Sequence, residues 1–108
     1  MLVLFDQGTP LPLRKFLSAH TVKTAAQQGW STLLNGELLR AAEQAGFDVL
    51  LTTDTHLQSQ QNLQIYKLAI VVLNRNRWQM IQAVIPQIIA AVADATPGTV
   101  TVVDVPIS

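Results

Sequence analysis

Three stretches of the chain are apolar without interruption, and polar residues gather where each of them stops. The first, Leu2–Phe5, ends at Asp6 and is followed by Gly8, Pro10 and Pro12. A short apolar run closed by turn formers reads as a buried strand. The second occupies 48–54, from Asp48 through Val49, Leu50 and Leu51 to Thr52, Thr53 and Asp54. The third is Ala69–Leu73, capped by Asn74. Strands that are apolar at every position are covered on both faces, which predicts a parallel sheet with helices on each side. Right-handed crossovers are expected to connect them.

Between these runs the spacing changes to that of helices. Leu13, Phe16 and Leu17 predict a short helix over 11–18 whose exposed side carries Arg14 and Lys15. Residues 20–25, with Thr21, Val22 and Thr24, are read as a short second strand. Asn35 is placed as an N-cap with Glu37 in the first turn, Leu38, Leu39, Ala42 and Ala45 as the buried stripe, and Gly46 as the stop. Residues 55–64 are polar, and their amides Gln58, Gln60, Gln61 and Asn62 are read as either ligand contacts or a plain turn. The span 78–95 is the longest helical candidate, with Ile81, Val84, Ile85, Ile88, Ile89 and Val92 on one broad face. Pro86 inside it predicts a kink or a break between two pieces. Thr96-Pro97-Gly98 ends it, and 99–105 alternate as a final edge strand.

Length adds that the 108 residues suit one α/β domain, and the 49% apolar content excludes a disordered chain. Seven basic and seven acidic residues balance to zero, so nucleic-acid binding by bulk charge is disfavoured and a local basic patch would be required. Cysteine is absent, which removes disulfides and thiolate metal sites and fits a reducing cytoplasm. No secretory leader is read at the N-terminus. The most apolar late stretch, 80–93, is shorter than the ~20 residues of a membrane span and contains Pro86, so no membrane association is expected.

The candidate chemistry lies at strand ends, because ligands of open parallel sheets bind outside the carboxyl ends of the strands. Two strong strands each end in an aspartate, Asp6 and Asp54. If those strands are neighbours, the carboxylates converge and must share a proton or a cation. Mg²⁺ or Mn²⁺ suits one or two carboxylates plus water and substrate phosphate. Each aspartate also has a plainer reading, as the cap of the turn that follows it. His56, just past Asp54, is read as a surface-turn histidine, with metal ligation or general-base work as the sharper alternative. His20 is read as structural. Arg75, Arg77 and Trp78 follow the third strand, where arginine beside an aromatic suits phosphate and base contact. The alternative there is solvated arginines and a tryptophan packed on the core.

Phe5-Asp6 leading into a proline-containing turn, Asn35-Gly36-Glu37-Leu38-Leu39 with Ala42, and Val49-Leu50-Leu51-Thr52-Thr53-Asp54 resemble, in order, three blocks of the short bacterial branch of the PIN-like domain family. The resemblance covers nearly the whole chain and implies a three-layer α/β/α sandwich with a mainly parallel sheet. It also implies an acidic cluster holding Mg²⁺ or Mn²⁺ and ribonuclease activity, in this branch often as the toxin of a toxin–antitoxin pair with an antitoxin protein as partner. Asp6 and Asp54 carry over as catalytic metal ligands. The family's middle acid falls at Asn35, so either Glu37 takes that role or the third ligand is lost. Asn35, His56, Asn74, Arg75 and Arg77 are then expected at the RNA. Gln7 and Thr55-His56 stand where the branch often has further acids. That thinning supports a second reading, a catalytically degenerate interaction module whose last helix and edge strand supply a homodimer or partner surface. A receiver-type domain ranks last, for want of paired acids beside Asp6.

Overall fold

The computed structural model of the protein describes residues 1–60 and 62–107, apart from the side chains of Ser59, Gln60 and Gln64. Five parallel strands, β1 (Leu2–Phe5), β2 (Thr21–Thr24), β3 (Val49–Thr52), β4 (Ala69–Leu73) and β5 (Val100–Val103), form one sheet in the order β2-β1-β3-β4-β5. Every residue of β3 and β4 is buried, as their unbroken apolar character predicted. Successive side chains point to opposite faces, so each strand feeds two cores. Val3, Phe5, Val49, Leu51, Val71 and Leu73 face one way, and Leu4, Leu50, Ile70 and Val72 the other. The edge position expected for the last strand is observed for β5.

The second face is covered by α1 (Asn35–Gln44) and by α2 (Leu57–Gln60) with the turn Leu63–Ile65, through Leu38, Leu39, Ala42, Leu57, Leu63 and Tyr66. The first face is covered by a 3-10 segment, Leu11–Leu17, and by the connection between β4 and β5. The molecule is thus an α/β sandwich around a parallel sheet. No helix among the described residues is long and apolar enough to cross a membrane.

Local sequence explains most of the helix boundaries and corrects several expectations. The N-cap of α1 is Leu34 rather than Asn35, and Leu34 carries no capping side chain. The Glu37 carboxylate instead reaches back to accept the Leu34 N–H at 3.3 Å, which is half of a capping box. At the other end Gly46 adopts φ +85°, its N–H bonds to Glu43 O, and the Phe47 N–H bonds to Ala42 O. This is a complete Schellman motif, with Phe47 as its buried apolar partner. Ala45, expected in the buried stripe, is the exposed C-cap instead.

The 11–17 segment is 3-10 rather than α-helical, since prolines at 10 and 12 restrict its start, and it buries Leu13 and Leu17 while Phe16 stays 38% exposed. The long candidate at 78–95 is three pieces: α3 (Trp78–Ile81), a 3-10 turn (Gln82–Val84) and α4 (Ile85–Ala93). Pro86 sits in the first turn of α4, where its missing N–H costs nothing, so it marks the break. Ile89 lies at the exposed side of α4 and only Ile88 and Val92 are fully covered there.

One expectation about connectivity fails. The crossover from β1 to β2 runs over the first face, and those from β2 to β3 and β3 to β4 run in the opposite direction over the second. Reversing both direction and face preserves the hand, so these three share it. The crossover from β4 to β5 keeps the later direction but returns to the first face, and therefore has the opposite hand. A uniform right hand is the usual rule. Here the second face already holds α1 and α2, while without α3 and α4 only the 3-10 segment would shield Val71 and Leu73. Burying that face outweighs the preference.

Candidate functional site

From β1 the chain passes to β2 on one side and, through β2, returns to β3 on the other, so the strand order reverses beside β1. This is the position where doubly wound sheets leave a crevice at the carboxyl end. Asp6 follows β1 and Asp54 lies two residues beyond β3, so the two strands are hydrogen-bonded neighbours, as convergence of the aspartates requires.

Thr52 joins them. Its side chain is completely buried, its hydroxyl donates to Asp6 Oδ2 at 2.8 Å, and the same oxygen accepts the Asp54 N–H at 3.0 Å. The hydroxyl's single proton and one of its lone pairs are therefore both engaged. A loop closes over this arrangement: the Asp6 N–H and the Thr9 hydroxyl both bond to Leu51 O, each at 3.0 Å. Gly8 at φ +91° lets that loop approach, because a Cβ there would stand 3.3 Å from Thr53 Oγ1.

Each aspartate also commits one oxygen to the backbone that follows it. Asp6 Oδ1 accepts the Gln7 N–H at 2.8 Å, and Asp54 Oδ1 accepts the His56 N–H at 2.9 Å. The plain capping reading of both residues is thus part of the geometry, alongside their pairing through Thr52. Burial raises the Asp6 carboxyl above its ordinary pKa, the Thr52 and Gln7 hydrogen bonds pull it down, and the Asp54 charge adds to the rise. A partly desolvated carboxylate with a like charge beside it is the electrostatic situation that a bound cation relieves.

The other predicted residues fall elsewhere. Glu37 is exposed at the start of α1 and holds the Leu34 N–H; among the described residues no group of three His, Cys, Asp or Glu side chains is placed to hold a metal. Asn35 opens α1 half-buried, and His56 is exposed beside Asp54. Asn74 and Arg75 are tied to the C-terminal stretch. Asn74 Oδ1 accepts the Val105 N–H at 2.7 Å, its Nδ2 donates to Asp104 Oδ1, and Arg75 Nη1 donates to Val105 O. Arg77 is exposed at the N-cap of α3. Trp78 packs on the core and against Phe16, with ring centroids 6.5 Å apart. Of the amide-rich stretch, Gln58 and Asn62 are exposed, while Gln61 and the Gln60 side chain lie outside the described residues. His20 Nδ1 lies 3.2 Å from the Met1 amino group, in keeping with a structural role.

Sequence reasoning missed Thr52 as the joining residue. A signal was present, since a threonine at the last position of an otherwise apolar strand is a hydroxyl delivered to the sheet's edge. Compared with known protein families, curated proteins and solved structures, the chain matches none.

Proposed function

We propose that the chain is a metal-dependent ribonuclease of PIN-like type, with Asp6 and Asp54 holding Mg²⁺ or Mn²⁺ at the β1–β3 end of the sheet. The observation that carries this reading is the Asp6–Thr52–Asp54 arrangement, two carboxylate residues linked through one buried hydroxyl. Its donor set is all hard oxygen. Mg²⁺ binds through one or two carboxylates and keeps several waters, so a two-aspartate site fits its habit without a third acid. When bound, such an ion lowers the pKa of its water and neutralises the leaving oxygen of a phosphodiester. The hydrogen bond from Thr52 orients the Asp6 carboxylate. The toxin role and an antitoxin protein as partner follow from the resemblance of the three sequence blocks alone, and a cytoplasmic location from the absence of cysteine.

A second reading, the degenerate interaction module, is favoured by one observation: Glu37, the candidate third acid, holds the Leu34 N–H. A labelled single-stranded RNA incubated with Mn²⁺ separates the two. The nuclease reading expects cleavage that EDTA abolishes and that Asp6→Asn or Asp54→Asn reduces about 100-fold or more, the scale of losing a charge that acts in the transition state. Cleavage indifferent to both substitutions would come from a contaminant and sink the proposal. No cleavage, together with a stable homodimer, supports the module.

A further inference from the structure

We propose that Phe16 and Trp78, with Arg14, Lys15 and Arg77 around them, form a binding surface for single-stranded nucleic acid. Although the net charge is zero, the charges are not mixed along the chain. No aspartate or glutamate occurs from Gln7 to Gly36, and none from Thr55 to Ala93. Those two acid-free stretches contain Arg14, Lys15 and Phe16 in one case and Arg77 and Trp78 in the other.

The fold brings them together on the first face of the sheet. Leu13 and Leu17 share a core with Ile81 and Val84, and the Phe16 and Trp78 rings meet at 6.5 Å with their planes 40° apart. Phe16 is 38% exposed, unusual for a phenylalanine in a helical turn that buries its neighbours at 13 and 17. Lys15 Nζ lies 5.3 Å from the Phe16 ring centre, and Arg14, Lys15 and Arg77 are all exposed. Among the described residues none of these three cations is in an ion pair with a carboxylate.

A partly exposed aromatic pair flanked by cations that have no carboxylate partner among the described residues matches an unstacked base with its phosphates: the rings supply a stacking platform and the cations neutralise the backbone. A duplex fits poorly, because its bases are stacked on each other and offer no free face. This surface uses none of the Asp6–Thr52–Asp54 group, so its binding does not depend on the ion site.

The test is fluorescence anisotropy of a labelled single-stranded 12-mer with the full chain in EDTA, over a series of salt concentrations. Three phosphate contacts predict a slope of log affinity against log salt near −2 for a single strand. Arg14→Gln/Lys15→Gln/Arg77→Gln should bring that slope close to zero. Phe16→Leu, which keeps an apolar side chain at a partly exposed position, should weaken binding by roughly 5-fold or more through lost stacking. Asp6→Asn/Asp54→Asn should bind like the wild type, which separates failure of this surface from failure of the ion site. Absence of binding at low salt, equal affinity for a duplex, an unchanged slope in the triple variant, or binding confined to anionic phosphatidylserine vesicles would each overturn the proposal.

Discussion

Where β4 and β5 finish, Asn74 accepts the Val105 N–H and donates to Asp104, while Arg75 reaches Val105 O. Where β1 and β3 finish, on the same edge of the sheet, Thr52 is hydrogen-bonded to Asp6 and to the Asp54 backbone. Both ends use short polar side chains and an aspartate. At the β4–β5 end, donors outnumber charges and the groups answer each other, so the arrangement works as a clasp on the C-terminal stretch. At the β1–β3 end two carboxylate residues lie side by side, and burial together with the Asp54 charge pushes Asp6 toward its neutral form. A polar cluster that satisfies itself is structural, and one left with surplus like charge is a place for a ligand.

The largest effect on that contrast is expected from Thr52→Val. It leaves Asp6 Oδ2 and the Asp54 N–H without their shared partner in a partly buried position, a loss of about 1–3 kcal/mol. Calorimetry should show a melting temperature lower by roughly 5–15 °C, and Mn²⁺ should recover less of it than in the wild type. Full recovery by Mn²⁺ would mean that Thr52 does not position Asp6 for the ion.

Asn74→Ala comes next. Removing both Asn74 hydrogen bonds while the Arg75 contact stays costs about 1–2 kcal/mol, and the Val105 amide should lose its protection from hydrogen exchange. Its response to Mn²⁺ should match the wild type. A lost response would erase the distinction between the two ends.

A smaller shift tests the electrostatics. Asp54→Asn removes the like charge, so the Asp6 carboxyl should titrate at lower pH than in the wild type, whereas Thr52→Val should move it higher; ¹³C chemical shifts of the carboxyl read both. Because the folded pKa of Asp6 lies above its unfolded value, its contribution to stability is fully present at pH below about 4. It is lost as the pH rises through the raised folded value. Ion binding needs the carboxylate, so Mn²⁺ affinity should rise over the same window.

Least is expected from Glu37→Gln, about 0.5 kcal/mol at an exposed helix start, with the Mn²⁺ response intact. A response abolished by this change alone would make Glu37 a ligand after all.

The sheet was readable because continuous apolar runs and the residues that stop them are local signals: Leu2–Phe5 before Asp6, and Val49 to Thr53 before Asp54. The same signals located the two aspartates of the candidate site. What escaped depends on partners distant in sequence. Asn74 and Arg75 looked like ligand contacts because Asp104 and Val105, 30 or more residues away, gave no hint of pairing with them. Thr52 reads equally well as an ordinary strand former, and only the neighbouring strand reveals where its hydroxyl goes. The opposite hand of the last crossover was hidden too, since the apolar stripe of 78–95 does not say which face of the sheet it will cover. Asn35 misled by one position, because its capping chemistry is supplied from inside the helix by Glu37.

Isothermal titration of the metal-free protein with Mn²⁺, for the wild type and for Asp6→Asn/Asp54→Asn, addresses the acidic pair most directly. One binding event per wild-type chain is expected and none in the double variant, with both proteins folded by circular dichroism. No heat of binding in the folded wild type, or equal binding by the two, would contradict it.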